Sequence, residues 1–380
     1  MPSGASAGVA WQPHRVVLSL GKGIVRINAF CLSAVAMLIQ VVIRPWFPTW
    51  FVTLGVLGLA VIVHEAGHYV AARMGGMRVV LVRIGPLQMA PRRRGWKVRW
   101  KRLPGAAAGS VTALPDPDQP WRPAFVRFAV GGVVANLLLA VPLLIGVVTA
   151  PSTHARLWFA ACLCGAAFPL VNIVPFRRGM DSDGLLAWRW LRHPPTTTQL
   201  LATRALSRIM WGTQLDALAP DEAAALRRMS PMHAVWCDVM GDLLRGDWQA
   251  GAGRLDAWRA AIPGDKQRRS LFTEFTAQVR REIAFATAIH ERDASLLPDK
   301  ASMRAARWTT PSLASRCRAV VAWLDDDFNA VAVATIDAMA LAGDSADLSA
   351  QESTRRICAA LAATPRTRAD AGFAGPAEHG

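Results

Sequence analysis

Val52-Thr53-Leu54-Gly55-Val56-Leu57-Gly58-Leu59-Ala60-Val61-Ile62-Val63-His64-Glu65-Ala66-Gly67-His68 is the stretch on which the reading of this chain turns. From Val52 to Val63 it carries no charged side chain, and two histidines with a glutamate follow without a break. On a helix, residues four apart share one face, so His64 and His68 can direct both imidazoles at one ion. Two neutral imidazoles suit zinc, and Glu65 stands beside them as a candidate general base. Ionisable groups at membrane depth are costly and usually functional, which favours a metal site over two histidines on a solvated face.

Working outward, hydrophobic residues make up 52% of the 380-residue chain and charged residues 18%, a composition too apolar for an ordinary soluble protein. Four apolar runs stand out: Ile27 to Ile43, Phe47 into the His64 region, Phe128 to Thr149, and Leu157 to Val174. Each is long enough to cross a hydrocarbon core of roughly 30 Å as a helix. The first follows Arg15, Lys22 and Arg26 with no convincing cleavage site, and reads as a retained span.

The net charge of +16 and pI near 11.0 fit a nucleic-acid binder or a membrane protein with basic loops. Position decides between them. Arg78, Arg83, Arg92, Arg93, Arg94, Lys97, Arg99 and Lys101 lie between two apolar runs with no acidic residue among them. They read as a topology determinant at an anionic membrane surface, and no nucleic-acid partner is expected. The basic tail, this loop and Arg177, Arg178, Arg189 and Arg192 place both termini in the cytoplasm, with four spans. The six cysteines show no zinc or disulfide spacing and read as reduced thiols.

The expected fold is an all-α polytopic membrane protein of four transmembrane helices, with a small β-hairpin segment at the cytoplasmic face and a C-terminal soluble helical domain. The boundaries read as a tail over 1–26, a membrane core over 27–190, a basic strand-rich loop over 77–122, a helical domain over 194–363 and a disordered tail over 364–380. In the loop, Val79 to Val82 and Lys97 to Trp100 read as strands around a turn near Gly95, with Pro86, Pro91 and Pro104 breaking any helix. Amphipathic spacing predicts helices over Thr198–Leu218, Ala223–Met229, Ala234–Leu244, Trp248–Ala261, Gln267–Ile289 and Ala319–Leu341. Gly246-Asp247-Trp248-Gln249-Ala250 resembles the turn of a helical-hairpin repeat, although no clean period is visible.

A catalytic zinc needs a third protein ligand and one open position. Asp181 and Asp183 are the candidates, in Asn172-Ile173-Val174-Pro175-Phe176-Arg177-Arg178-Gly179-Met180-Asp181-Ser182-Asp183-Gly184, where one Asp would otherwise cap the helix starting near Leu185.

His-Glu-x-x-His at the end of a span, followed after a later span by Asn-x-x-Pro leading to Asp-Gly, resembles the site-2 protease family over residues 47 to 190. The resemblance implies that His64, His68 and Asp183 bind Zn²⁺, with Asp181 as the alternative third ligand, and that Glu65 is catalytic. The Pro-to-Asp spacing is longer than the commonest form of that motif. The family's Gly-Pro-x-x-Asn stretch reads here Gly132-Val133-Val134-Ala135-Asn136, with Val133 in place of proline. It implies that Asn136 holds substrate backbone near the zinc; an interhelical hydrogen bond is the alternative. The implied activity is hydrolysis of membrane-spanning protein segments in a bacterial inner membrane, zinc-activated water acting with Glu65. A non-catalytic zinc-binding protein or a metal transporter is the competing expectation. The strand-rich loop would offer an edge to hold unwound substrate, with Gly105, Gly109 and Ser110 allowing close approach. The C-terminal domain would recruit a regulatory partner or a second copy of the chain.

Overall fold

The computed structural model describes residues 47–101, 108–151, 180–193, 195–262 and 272–365, with scattered positions between 155 and 178 and Gly264. The first apolar run and the 366–380 tail fall outside these residues, and the fourth run falls partly outside them.

Helix α1 spans Phe47–Met74 and continues well past His68. It ends where Gly76 takes φ of 69°, which needs a residue without Cβ. Met77 N–H then reaches back to the Ala72 carbonyl at 2.9 Å, satisfying an orphan acceptor of the last turn. Helix α2 spans Trp121–Thr149. Both are long and apolar enough to cross a membrane. Leu54, Leu138 and Val148 are more than half exposed on them, as lipid-facing residues would be. The helices pack through small residues. A Cβ on Gly67 would overlap the Gly131 carbonyl, and one on Gly131 would stand 2.5 Å from the Ala71 Cβ.

Between the two helices the expected hairpin is a four-stranded antiparallel sheet. Its strands are β1 Arg78–Ile84, β2 Leu87–Arg92, β3 Gly95–Trp100 and β4 Gly109–Leu114, in the order β3-β2-β1-β4. Gly95, at φ 116°, makes the β2–β3 turn. Pro91, expected as a breaker, sits inside β2 opposite Trp96. Val79, Val82, Met77, Ala72 and Ala124 form the small core that fixes the sheet to the helix pair.

A two-residue hairpin, β5 Arg177–Arg178 and β6 Met180–Asp181, leads into helix α3, Asp183–Arg192. Beyond it come α4 Thr197–Met210, α5 Pro220–Met229, α6 Pro231–Arg245, α7 Trp248–Gly253, α8 Leu255–Ala261, α9 Thr273–Glu291, α10 Lys300–Ala306, α11 Leu313–Leu324, α12 Phe328–Ala342 and α13 Ala350–Ala363. Helices α6 to α13 enclose one core that includes Trp258, Phe285, Val279, Val320 and Ile357.

The helix expected over Ala319–Leu341 is two helices. Its apolar period runs unbroken through Asp325-Asp326-Asp327, yet Asp326 turns to φ 57° and the Asp327 side chain caps α12 by accepting from Ala330 N–H at 2.9 Å. The basic strands also contact protein. Arg78 donates to the carbonyls of Met210 and Ala346, Arg92 to that of Trp308 and Lys97 to that of Arg307. Arg99 pairs with Glu274 at 2.7 Å and stacks over the Trp308 ring at 4.1 Å.

Candidate metal centre

His64 and His68 lie one turn apart on α1 and are buried against α2. Their Nε2 atoms are 3.1 Å apart. Asp183 comes from the first turn of α3, its Oδ2 3.0 Å from His64 Nε2 and its Oδ1 3.3 Å from His68 Nε2. Tetrahedral zinc ligands at 2.0–2.1 Å from the ion stand about 3.3 Å from one another. The three donors therefore have the mutual spacing such an ion requires, and all their ligand atoms fall within 4.8 Å of one another.

Several features hold the donors in this arrangement. His68 Nδ1 lies 2.7 Å from the Phe128 carbonyl. A carbonyl can only accept, so Nδ1 carries the proton and the lone pair of the neutral ring is on Nε2, facing the cluster. His64 Nδ1 faces the Asn136 amide at 3.4 Å, while Asn136 Oδ1 is buried with no partner. Turning that amide over lets Oδ1 accept from His64 Nδ1–H, which satisfies both groups and frees the His64 Nε2 lone pair in the same way. Gly132 lets α2 approach: a Cβ there would stand 2.6 Å from His64 Cε1 and from His68 Nε2.

Asp183 is set by its neighbours. Ser182, and neither aspartate, caps α3, accepting from Leu185 N–H at 3.2 Å while its hydroxyl donates to the Val174 carbonyl at 2.8 Å. A Cβ on Gly184 would collide with the Ile173 carbonyl, so glycine is required after Asp183. A carboxylic acid of ordinary acidity is an anion at neutral pH, the form in which an aspartate binds a metal. Asp181 lies in β6, with its backbone opposite Arg177.

Glu65 is buried beside the cluster, and its Oε2 has no hydrogen-bond partner. Gly109, at the start of β4, stands so close that a Cβ there would overlap the Glu65 carboxylate. Sequence reasoning missed three neighbours. The Phe128 carbonyl is backbone and has no sequence signal. Gly109 was picked out for close chain approach, with no hint that Glu65 would be beside it. Asn172 Nδ2 lies 3.4 Å from His64 Nε2, and the Asn-x-x-Pro pattern around it was the available clue.

A helix pair suited to lipid that brings two histidines, a carboxylate and a glutamate together has the makings of a membrane metallopeptidase. The sequence profile described as Peptidase family M50 matches residues 52–292, more than half of the chain. No curated protein and no solved structure matches it. The chain belongs to peptidase family M50, the site-2 protease family.

Proposed function

We propose that the protein is an intramembrane zinc endopeptidase that cuts membrane-protein substrates in or near their transmembrane segments. The observation that carries this reading is the convergence of His64, His68 and Asp183 on one point with Glu65 alongside. The three residues would hold Zn²⁺. Zinc bound there supplies Lewis acidity and a water whose pKa falls to about 7.

Glu65, buried beside these residues, would act as general base toward an attacking water and as proton donor to the departing amine. Its unpartnered Oε2 leaves it an oxygen for this work. Asn136 and the Phe128 carbonyl keep the imidazoles in the tautomer that presents Nε2. A membrane helix must unwind before its backbone can be attacked. Among the described residues strand β4 pairs with β1 alone, which leaves an edge to receive extended backbone, and its Gly109 end adjoins Glu65. The basic residues flanking its apolar runs support cytoplasmic termini, and the Ala- and Arg-rich composition supports a bacterial inner membrane.

Metal analysis tests this directly. The purified chain should hold about one zinc, Asp183→Ala should lose it and Asp181→Ala should keep it. Cleavage of a membrane-spanning reporter should stop on chelation and return with zinc. A folded wild-type chain that is metal-free and indifferent to chelators defeats the proposal.

A further inference from the structure

A second polar site lies one turn beyond His68, where α1 leaves the membrane. It is a cavity of about 310 Å³ enclosed by the end of α1, strands β1 and β2, and the 342–351 segment joining α12 to α13. That volume is at the lower end of small-molecule sites. Four guanidinium groups line it, those of Arg73, Arg78, Arg92 and Arg93, together with Tyr69 and a single carboxylate, Asp347. Asp347 Oδ1 accepts from the N–H and the hydroxyl of Ser349 at 2.8 Å each, and its charge acts on Arg78. Asp344 lies near enough to Arg92 to act on it, which leaves the arginines in excess.

Arg92 carries the argument. One of its nitrogens donates to the Trp308 carbonyl, but Nε and Nη1 are buried with no partner. A buried guanidinium with unsatisfied donors, crowded by like charges, is costly unless an anion completes it. The remaining arginines are open to one: Arg73 and Arg93 are exposed, and Arg93 reaches across toward Gly343, where an added Cβ would stand 3.6 Å from its Cζ. Arg78 is held by the carbonyls of Met210 and Ala346, so Arg73 and Arg93, beside Arg92, are the forks left to match the tetrahedral oxygens of a phosphate group. The level of the site, at the end of an apolar helix, is that of lipid headgroups.

We propose that this cavity binds a phosphate group, either the headgroup of an anionic phospholipid or a soluble phosphate. Bound there, it bridges the catalytic helix, the sheet and the C-terminal helices. The proposal is independent of the zinc reading, because its readout needs neither metal nor cleavage.

The full chain in neutral detergent is titrated with dioctanoyl phosphatidylglycerol, with inorganic phosphate, and with dioctanoyl phosphatidylcholine and chloride as controls, while its thermal unfolding midpoint is followed. The midpoint should rise saturably with phosphatidylglycerol or phosphate and not with the controls. Arg73→Gln should weaken the apparent affinity about tenfold or more, the worth of one charge-assisted bond. Arg93→Gln, an exposed position, serves if that variant does not fold. A response to phosphatidylglycerol alone assigns the lipid source, and a response to both assigns any accessible phosphate. The inference is overturned if neither ligand raises the midpoint, if the controls raise it equally, or if both variants respond like the wild type.

Discussion

Two of the places where the chain buries charged side chains are built differently. In the C-terminal domain, Arg316 of α11 donates to both carboxylate oxygens of Glu282 on α9, at 2.6 and 2.8 Å, and lies 5.0 Å from the Phe285 ring centre. The pair is 2% exposed and its charges cancel. In the membrane core, His64, Glu65, His68, Asn136 and Asp183 crowd together with ligand atoms turned toward one another and with Glu65 Oε2 lacking a hydrogen-bond partner among the described residues. The first arrangement neutralises its own charges, although the buried Arg316 Nε has no hydrogen-bond partner among the described residues. The second gathers ligand atoms of like kind around one point, and polar groups so placed cost stability.

Glu65→Gln sharpens this contrast most. It keeps the shape of the side chain and removes its basicity. Cleavage should fall by about 10²–10⁴-fold while zinc content and unfolding midpoint hold. A large loss of stability would mean that Glu65 is structural, as Glu282 is.

Glu282→Ala should show the opposite signature. Leaving Arg316 buried without its anion costs about 3–5 kcal/mol. The unfolding midpoint of the C-terminal domain should drop by roughly 2–4 °C for each of those. Adding Arg316→Met should recover most of the loss, since a packed apolar pair replaces a buried ion pair at little cost. If the double variant were no better than the single, the pair would be doing more than neutralising itself.

The same contrast explains what was legible in the sequence. His64 and His68 are joined by a single helical turn, so local geometry alone brings their rings together. Asp183 reaches them only through a long chain crossing, and the sequence offers it, beside Asp181, only by resemblance. The tautomer-setting Phe128 carbonyl is invisible in a sequence because any residue would supply it. The sheet was half legible: alternation gave parts of β1 and β3, while β4 carries the small residues Gly109 and Ser110, the first of which makes room for Glu65. In the helical domain the apolar period carried across Asp325-Asp326-Asp327 and concealed a break. The turn at Gly246, φ 73°, followed by the capping Asp247, has the same form and was recognised because glycine marks it. Asp326 takes the same left-handed region without that marker.

Asn136 tests a finer point. If it orients His64, Asn136→Ala should weaken zinc binding about 10–100-fold, measured by competition with a chelator of known affinity. If it serves only as a bond between α1 and α2, the unfolding midpoint falls and zinc affinity does not.

The smallest effect belongs at the seam between the two regions. Glu274 of α9 meets Arg99 and Lys101 of β3 and its extension. Burial works to raise its carboxyl, but hydrogen bonds from Arg99 and Lys101 outweigh burial and hold it below the ordinary glutamate range. A carboxyl lowered in the folded state stabilises at pH above its unfolded value, and that contribution is lost as pH falls through the folded value. The seam should therefore be intact at neutral pH and loosen in acid. The pair is partly exposed, so its worth is about 0–1 kcal/mol. Glu274→Gln should lower the unfolding midpoint slightly at neutral pH, and the gap from wild type should close on acidification as the wild-type carboxyl takes up its proton. A gap that stayed constant with pH would show that the contact between sheet and helices rests on the Arg99–Trp308 stacking and the carbonyl bonds, with Glu274 contributing shape alone.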